Sequence, residues 1–160
     1  MKAKSYIPEG KHNLVPHMVL RNADKAIEFY VKAFAAKEVM RMHGPDGKSI
    51  IYASLQFGDS TISLCEEMPQ CESKSPETLG GTNVAMFLYV PDVDASFKKA
   101  VDAGCTVKMP VMDMFWGDRF SCVIDPFGAV WNLSTHVEDL TVDEIAQRQE
   151  SFCAQMAAAK

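Results

Sequence analysis

The chain lacks several things. It has no apolar run approaching the length of a membrane span. Its opening residues, Met1 to Gly10, lack the apolar core of a signal peptide. No basic stripe interrupts a net charge of −5, which argues against nucleic acid as a partner. The five cysteines are odd in number and form no Cys-x-x-Cys pair, so neither a disulfide framework nor a thiol redox motif is indicated. Four of them, Cys65, Cys105, Cys122 and Cys153, lie in or beside apolar runs, and buried thiols are expected. No basic neighbour is placed to activate a nucleophilic thiol. Ser-His-Asp and Cys-His spacings are absent, and no carboxylate pair is spaced for glycosidase-like chemistry. No Gly-rich loop follows a first strand to cradle a nucleotide-like cofactor.

What remains is an ordinary globular composition, with 48% apolar and 23% charged residues over 160 positions. That length suits one well-packed domain or two small modules sharing a core. A cytoplasmic location is expected.

The pattern along the chain alternates between periods. Residues 1–12 are polar, contain Pro8 and Gly10, and read as a loose arm. Leu14 to Leu20 reads as a strand. Asn22 is placed as an N-cap, and Ala23, Ala26, Ile27, Tyr30 and Phe34 then recur at helical spacing. Strands are expected over 38–43, 50–57 and 61–65, with turns at Pro45-Asp46-Gly47 and Gly58-Asp59. Residues 66–81, with two prolines and two glycines, read as a linker or mobile loop. The order then repeats: a strand over 83–90, a helix capped by Asp92 and ended by Gly104, and strands over 105–112, 119–124 and 130–135. A capping box, Thr141-x-x-Glu144, opens a last helix whose apolar face is Val142, Ile145, Ala146, Phe152, Cys153 and Met156.

A shift of about 70 residues places Leu20 on Val90, Ile27 on Phe97, and Phe57-Gly58 on Phe127-Gly128. Each half reads βαβββ. The expected fold is α+β: a first module over 13–65, a linker over 66–81, a second module over 82–136, and a helix over 140–158. A chain that repeats itself at that distance builds one cavity between two similar halves, so the modules should together form one domain.

The residues that carry a family resemblance are Ala26-Ile27-Glu28-Phe29-Tyr30, Trp116-Gly117-Asp118-Arg119, Asp125-Pro126-Phe127-Gly128, Trp131, and Thr135-His136-x-Glu138-Asp139. On these the chain resembles the vicinal-oxygen-chelate superfamily of glyoxalase I, bleomycin-resistance proteins and extradiol dioxygenases. Within that superfamily it resembles the PhnB-like branch, once labelled as a 3-demethylubiquinone-9 3-methyltransferase domain. The resemblance covers roughly residues 13–148 and implies one glyoxalase-like domain, with curled mixed sheets of paired modules around a cleft, and a homodimer. The methyltransferase label is not carried over, because the cofactor loop is missing.

Metal-dependent relatives place a ligand on the first and last strand of each module. The matching positions here are Val15, Ser63, Ala85 and Asn132. Valine and alanine have no donor atom, and serine and asparagine are poor ligands for such ions. No metal or other cofactor is therefore expected. His17 shares the strand parity of Val15 and is the one residue around which a rearranged ligand set would form.

The expected ligand-contacting residues are His17, Ser63, Trp116, Asp118, Arg119 and Asn132, with several methionines as an adaptable apolar wall. Tryptophan offers a flat apolar face and arginine a bidentate donor. The favoured reading is a metal-free protein binding a small, partly apolar ligand, as bleomycin-resistance proteins do. Two alternatives stand beside it: a metal-dependent lyase, isomerase or dioxygenase of the same superfamily, and an interaction module using the last helix. No membrane or nucleic-acid partner is expected.

Overall fold

A computed structural model describes residues 3–158, apart from the side chains of Met156 and Ala158. The chain forms two compact units. One holds the residues up to Asn83 together with Pro126–Ala129, and the other holds Val84–Asp125 and the residues from Val130 on. No helix among the described residues is long and apolar enough to cross a membrane.

The first unit contains β1 (His17–Leu20), α1 (Ala23–Phe34), β2 (Lys37–His43), β3 (Ile50–Phe57), β4 (Ser60–Glu66) and α2 (Pro76–Leu79). Its sheet has the order β1-β4-β3-β2, with β1 parallel to β4 and the other pairs antiparallel. Ala23, Ala26, Ile27 and Tyr30 of α1 are fully buried, as their spacing predicts. Each large side chain among them contributes about 1.5–3 kcal/mol by leaving water. Phe127, from the Asp125–Gly128 turn, adds its ring edge-on to Phe29 and Tyr30 at 5.8 and 6.2 Å.

The cap of α1 is not the expected one. Asn22 occupies the N-cap position in a left-handed conformation and its side chain caps nothing. The carboxylate of Glu66, at the end of β4, accepts instead from the Asn22 and Ala23 amides at 2.8 and 2.9 Å. A carboxylate suits those free N–H groups and the positive end of the helix dipole.

Segment 66–81 is more ordered than a linker. Glu67 accepts hydrogen bonds from the Ser75 and Thr78 hydroxyls and the Ser75 amide, which hold its carboxyl down at about 2. Ser75 caps α2, whose first residue is Pro76. The N-terminal arm is also tied down. Thr61 Oγ1 donates to the Gly10 carbonyl at 2.9 Å, and His12 Nε2 donates to the Asp59 carbonyl at 2.9 Å.

The second unit contains β5 (Ala85–Tyr89), α3 (Val93–Ala103), β6 (Thr106–Asp113), β7 (Asp118–Ile124), β8 (Val130–His136) and α4 (Val142–Ala158). Its sheet order, β5-β8-β7-β6, repeats that of the first unit, again with the first and last strands parallel. Asp92 caps α3 by accepting from the Ala95 amide at 3.0 Å, and Gly104 ends it at φ 119. Pro110 lies in β6 within the register shift between Met109 and Met112; β6 is an edge strand, where a residue without an N–H is tolerated.

The capping box of α4 forms as expected: Thr141 N donates to Glu144 Oε2 at 2.8 Å, and Glu144 N donates to Thr141 Oγ1 at 3.3 Å. Its apolar face is only partly covered. Phe152 packs against Met114, Phe120 and Cys122, and its ring lies 5.5 Å from Phe115. Val142 and Cys153 are exposed, and the side chain of Met156 lies outside the described residues. The thiols also divide. Cys105 and Cys122 are buried, Cys65 is half-buried, and Cys71 and Cys153 are exposed. Burial pushes the Cys105 thiol up to about 12, which leaves it inert.

Candidate functional site

Strand alternation sorts each sheet into two faces. In the first unit, Met18, Leu20, Ala53, Leu55, Ile62 and Leu64 share one face by register and are buried. His17, Ser54, Thr61, Ser63 and Cys65 share the other. Met40 and Met42 lie opposite Ser54 and Tyr52 at the sheet edge, and both are exposed.

Two of the expected site residues meet on this second face. His17 and Ser63 are direct partners across the parallel β1–β4 pair. His17 Nδ1 is hydrogen-bonded to Ser63 Oγ at 2.9 Å, and its Nε2 lies 3.5 Å from Cys65 Sγ. Ser63 Oγ also reaches the Pro16 carbonyl at 3.3 Å. The N-terminal arm lies over this face. Lys11 Nζ donates to Ser54 Oγ, and a recess of about 340 Å³ is bounded by arm residues, Val15, Tyr52 and Ser63. The arm explains why Ser54, Thr61 and Ser63 are buried although they do not face α1.

In the second unit, Arg119 identifies the face that α3 covers. It donates to both carboxylate oxygens of Asp94 at 2.6 and 2.8 Å and to Asp113 at 2.9 Å. Thr135, its β8 partner, accepts from the Val93 amide at 2.9 Å. Arg119 therefore fixes α3 to the sheet and does not join the other expected site residues.

Phe87, Tyr89, Asp118, Phe120, Cys122, Asn132, Ser134 and His136 share the opposite face. Phe87 and Tyr89 are 48% and 60% exposed with ring centroids 5.2 Å apart, and Phe87 also lies 5.7 Å from Phe120. Trp116 packs edge-on to Phe120 at 5.7 Å. Asn132 lies between Phe87 on β5 and Cys122 on β7.

Asp118 is 2% exposed and accepts from Tyr89 Oη and Ser134 Oγ, each at 3.0 Å, and from His136 Nδ1 at 2.8 Å. Burial pushes its carboxyl up, but the hydrogen bonds from His136, Ser134, Tyr89 and Trp116 outweigh burial and leave it below its ordinary value. His136 is raised in turn, first by Asp118 and then by Asp139, whose Oδ1 lies 3.1 Å from Nε2. Tyr89 is raised by burial and by Asp118.

Sequence reasoning singled out Asp118 but missed its partners Tyr89, Ser134 and His136. The pairing of Asp118 with His136 follows from a hairpin centred on the Asp125–Gly128 turn, so it was available from the turn position. Lys11 and Ser54 had no such signal, because the arm meets the sheet only in three dimensions.

A divalent ion is the group that metal-dependent relatives would hold; among the described residues no group of three or more His, Cys, Asp or Glu side chains is placed to hold one. Of the four positions the resemblance points to, Val15 and Ala85 carry no donor atom, Ser63 is engaged with His17 and Pro16, and Asn132 lies between Phe87 and Cys122. Around His17 the nearest groups are one hydroxyl and one half-buried thiol that burial pushes up, away from the thiolate a metal needs.

Comparison with known proteins places this architecture. Residues 15–133 match the model of the Glyoxalase/Bleomycin resistance protein/Dioxygenase superfamily. An uncharacterized protein of Mycobacterium bovis is 47% identical over 141 residues, covering 86% of this chain and 92% of its own length. Among solved structures, TioX from Micromonospora sp. ML1 is similar with a TM-score of 0.61 at 23% identity, over 79% of this chain and 99% of TioX. The PhnB protein from Bacillus cereus gives 0.61 at 14% identity, over 78% and 99%. At those identities the solved structures speak for the fold alone. With two βαβββ units of matching strand order, and a family model spanning most of both, the chain belongs to the glyoxalase/bleomycin resistance protein/dioxygenase superfamily.

Proposed function

We propose that this chain is a PhnB-like binding protein of the glyoxalase/bleomycin-resistance type. It works without a metal and holds a small, partly apolar ligand against sheet faces that the helices leave uncovered. The observation that carries this reading is the face of the second unit, where Phe87 and Tyr89 stand exposed beside Phe120 and Asn132. Exposed aromatic rings grouped on one sheet face mark a surface that a ligand or partner covers. The first unit offers a separate face of its own, with hydroxyls as hydrogen-bonding groups and with Met40 and Met42 as adaptable apolar contacts. In this reading the protein acts in the cytoplasm as a homodimer. Light scattering should then give twice the 17.7 kDa chain mass.

A thermal-shift screen of small aromatic and aliphatic compounds tests the reading. A ligand at 100 times its Kd stabilises by about 2.7 kcal/mol, a readily measured rise in Tm. Elemental analysis of untagged protein is the companion measurement. A stoichiometric divalent ion that is lost in His17→Ala would replace this reading with the metal-dependent one.

A further inference from the structure

The recess beneath the N-terminal arm contains a cationic group. Lys11 Nζ donates to Ser54 Oγ, a neutral hydroxyl on a residue only 2% exposed. Among the described residues its side chain is held by that hydroxyl and by no carboxylate. An ammonium carries three donors, and this one meets a single protein acceptor.

Beside Lys11 the recess is lined by the apolar Ile7, Pro8 and Val15, by the rings of Tyr6 and Tyr52, and by the polar His12, Asn13 and Ser63. Ser63 Oγ is fixed by His17 Nδ1 and the Pro16 carbonyl. A volume of about 340 Å³ falls within the range of small-molecule pockets.

We infer that this recess binds a small organic monoanion, a carboxylate or sulfonate on an apolar body, with its charged end on Lys11 Nζ and its body against Val15 and Tyr52. The inference rests on the binding-protein reading above and adds the ligand's charge and place. One ammonium, with the His12, Asn13 and Ser63 side chains as the other polar groups of the lining, matches a single negative charge better than a phosphate dianion, which draws several charged donors. The low dielectric beside a buried Ser54 strengthens that attraction compared with an exposed lysine. The arm supplies both Lys11 and a wall, so the bound anion would fasten the arm to the sheet.

Two fluorescent probes with the same ring system separate charge from burial: anionic 8-anilino-1-naphthalenesulfonate and neutral N-phenyl-1-naphthylamine. The wild-type chain should bind both, and the sulfonate should shift the amide resonances of Tyr52 and Ser63. Lys11→Met should weaken the sulfonate about tenfold. It should leave the neutral probe within about twofold, and Lys11→Arg should retain sulfonate binding, since both keep the charge-independent and charge-dependent contacts respectively. The neutral probe also reports whether the Lys11→Met arm still folds over the sheet. Sulfonate affinity unchanged in Lys11→Met, or resonance shifts confined to Phe87 and Tyr89, overturns the anion site and leaves the binding-protein reading standing. Binding of neither probe by the wild type overturns both.

Discussion

The two units repeat one strand order and answer the same structural demands with different residues. Each has a helix whose first amides need acceptors. In α3 the answer is local: Asp92 caps the helix that follows it. In α1 it is distant: Glu66, more than 40 residues along the chain, supplies both acceptors while Asn22 takes a left-handed turn. The faces diverge in the same way. His17 and Phe87 hold equivalent places, paired to Ser63 and Asn132. One face is hydroxyl-rich and overlaid by the arm, and the other is aromatic with a buried acid. A repeated backbone fixes where side chains stand but leaves their chemistry free, so each half has diverged without altering its topology.

The second unit is the more sensitive to a single change at its hairpin. Gly117, in the Trp116-Gly117-Asp118 motif, has φ 94, and a Cβ there would sit 2.3 Å from the Glu138 carbonyl oxygen. Its own carbonyl accepts from the Val137 and Glu138 amides at 2.9 and 3.0 Å. Gly117→Ala should cost about 3 kcal/mol and lower Tm by about 10 °C in thermal unfolding. In the first unit Gly58 has φ 57 but nothing within 4 Å of an added Cβ, so Gly58→Ala should cost markedly less.

Asp118→Asn comes next. It keeps the shape but offers NH₂ to donors that need acceptors, at a cost of about 2 kcal/mol in chemical denaturation. Its pH signature is two-sided. Asp118 lies below its ordinary 3.8, so its contribution is complete above 3.8 and is lost as pH falls through the lowered value. His136 lies above its ordinary 6.5, so its contribution is complete below 6.5 and is lost as pH rises through the raised value. The pair should therefore stabilise most between those limits. NMR titration of His136 should show a pKa above 6.5 that moves down in Asp118→Asn. A midpoint unmoved by that substitution would disprove the coupling.

The two caps sharpen the comparison with smaller effects. Glu66→Ala leaves two amides unanswered and should cost about 1.5 kcal/mol. Asp92→Ala removes one acceptor and should cost about 1 kcal/mol. Equal losses would mean that Glu66 acts through charge alone and not through its second hydrogen bond.

Much of the fold was readable in advance. The boundaries of α1, β3 and α3, the Asp92 and Thr141 caps, and the repeat itself rest on interactions between residues a few positions apart, which spacing reveals. The candidate site was legible only in part. His17 and Ser63 do meet, whereas Arg119 turned to the helix face because Asp94 and Asp113 were there to receive it.

By itself the sequence determined the period of each element and the order βαβββ twice over, because these depend on local spacing and on the identity of single residues. The tertiary structure alone decided that Glu66 caps α1, that Asp118 gathers Tyr89, Ser134 and His136, and that the arm lays Lys11 on Ser54. Each of those contacts joins segments whose separation along the chain carries no periodic signal, and only the packed sheet brings them within reach of a hydrogen bond.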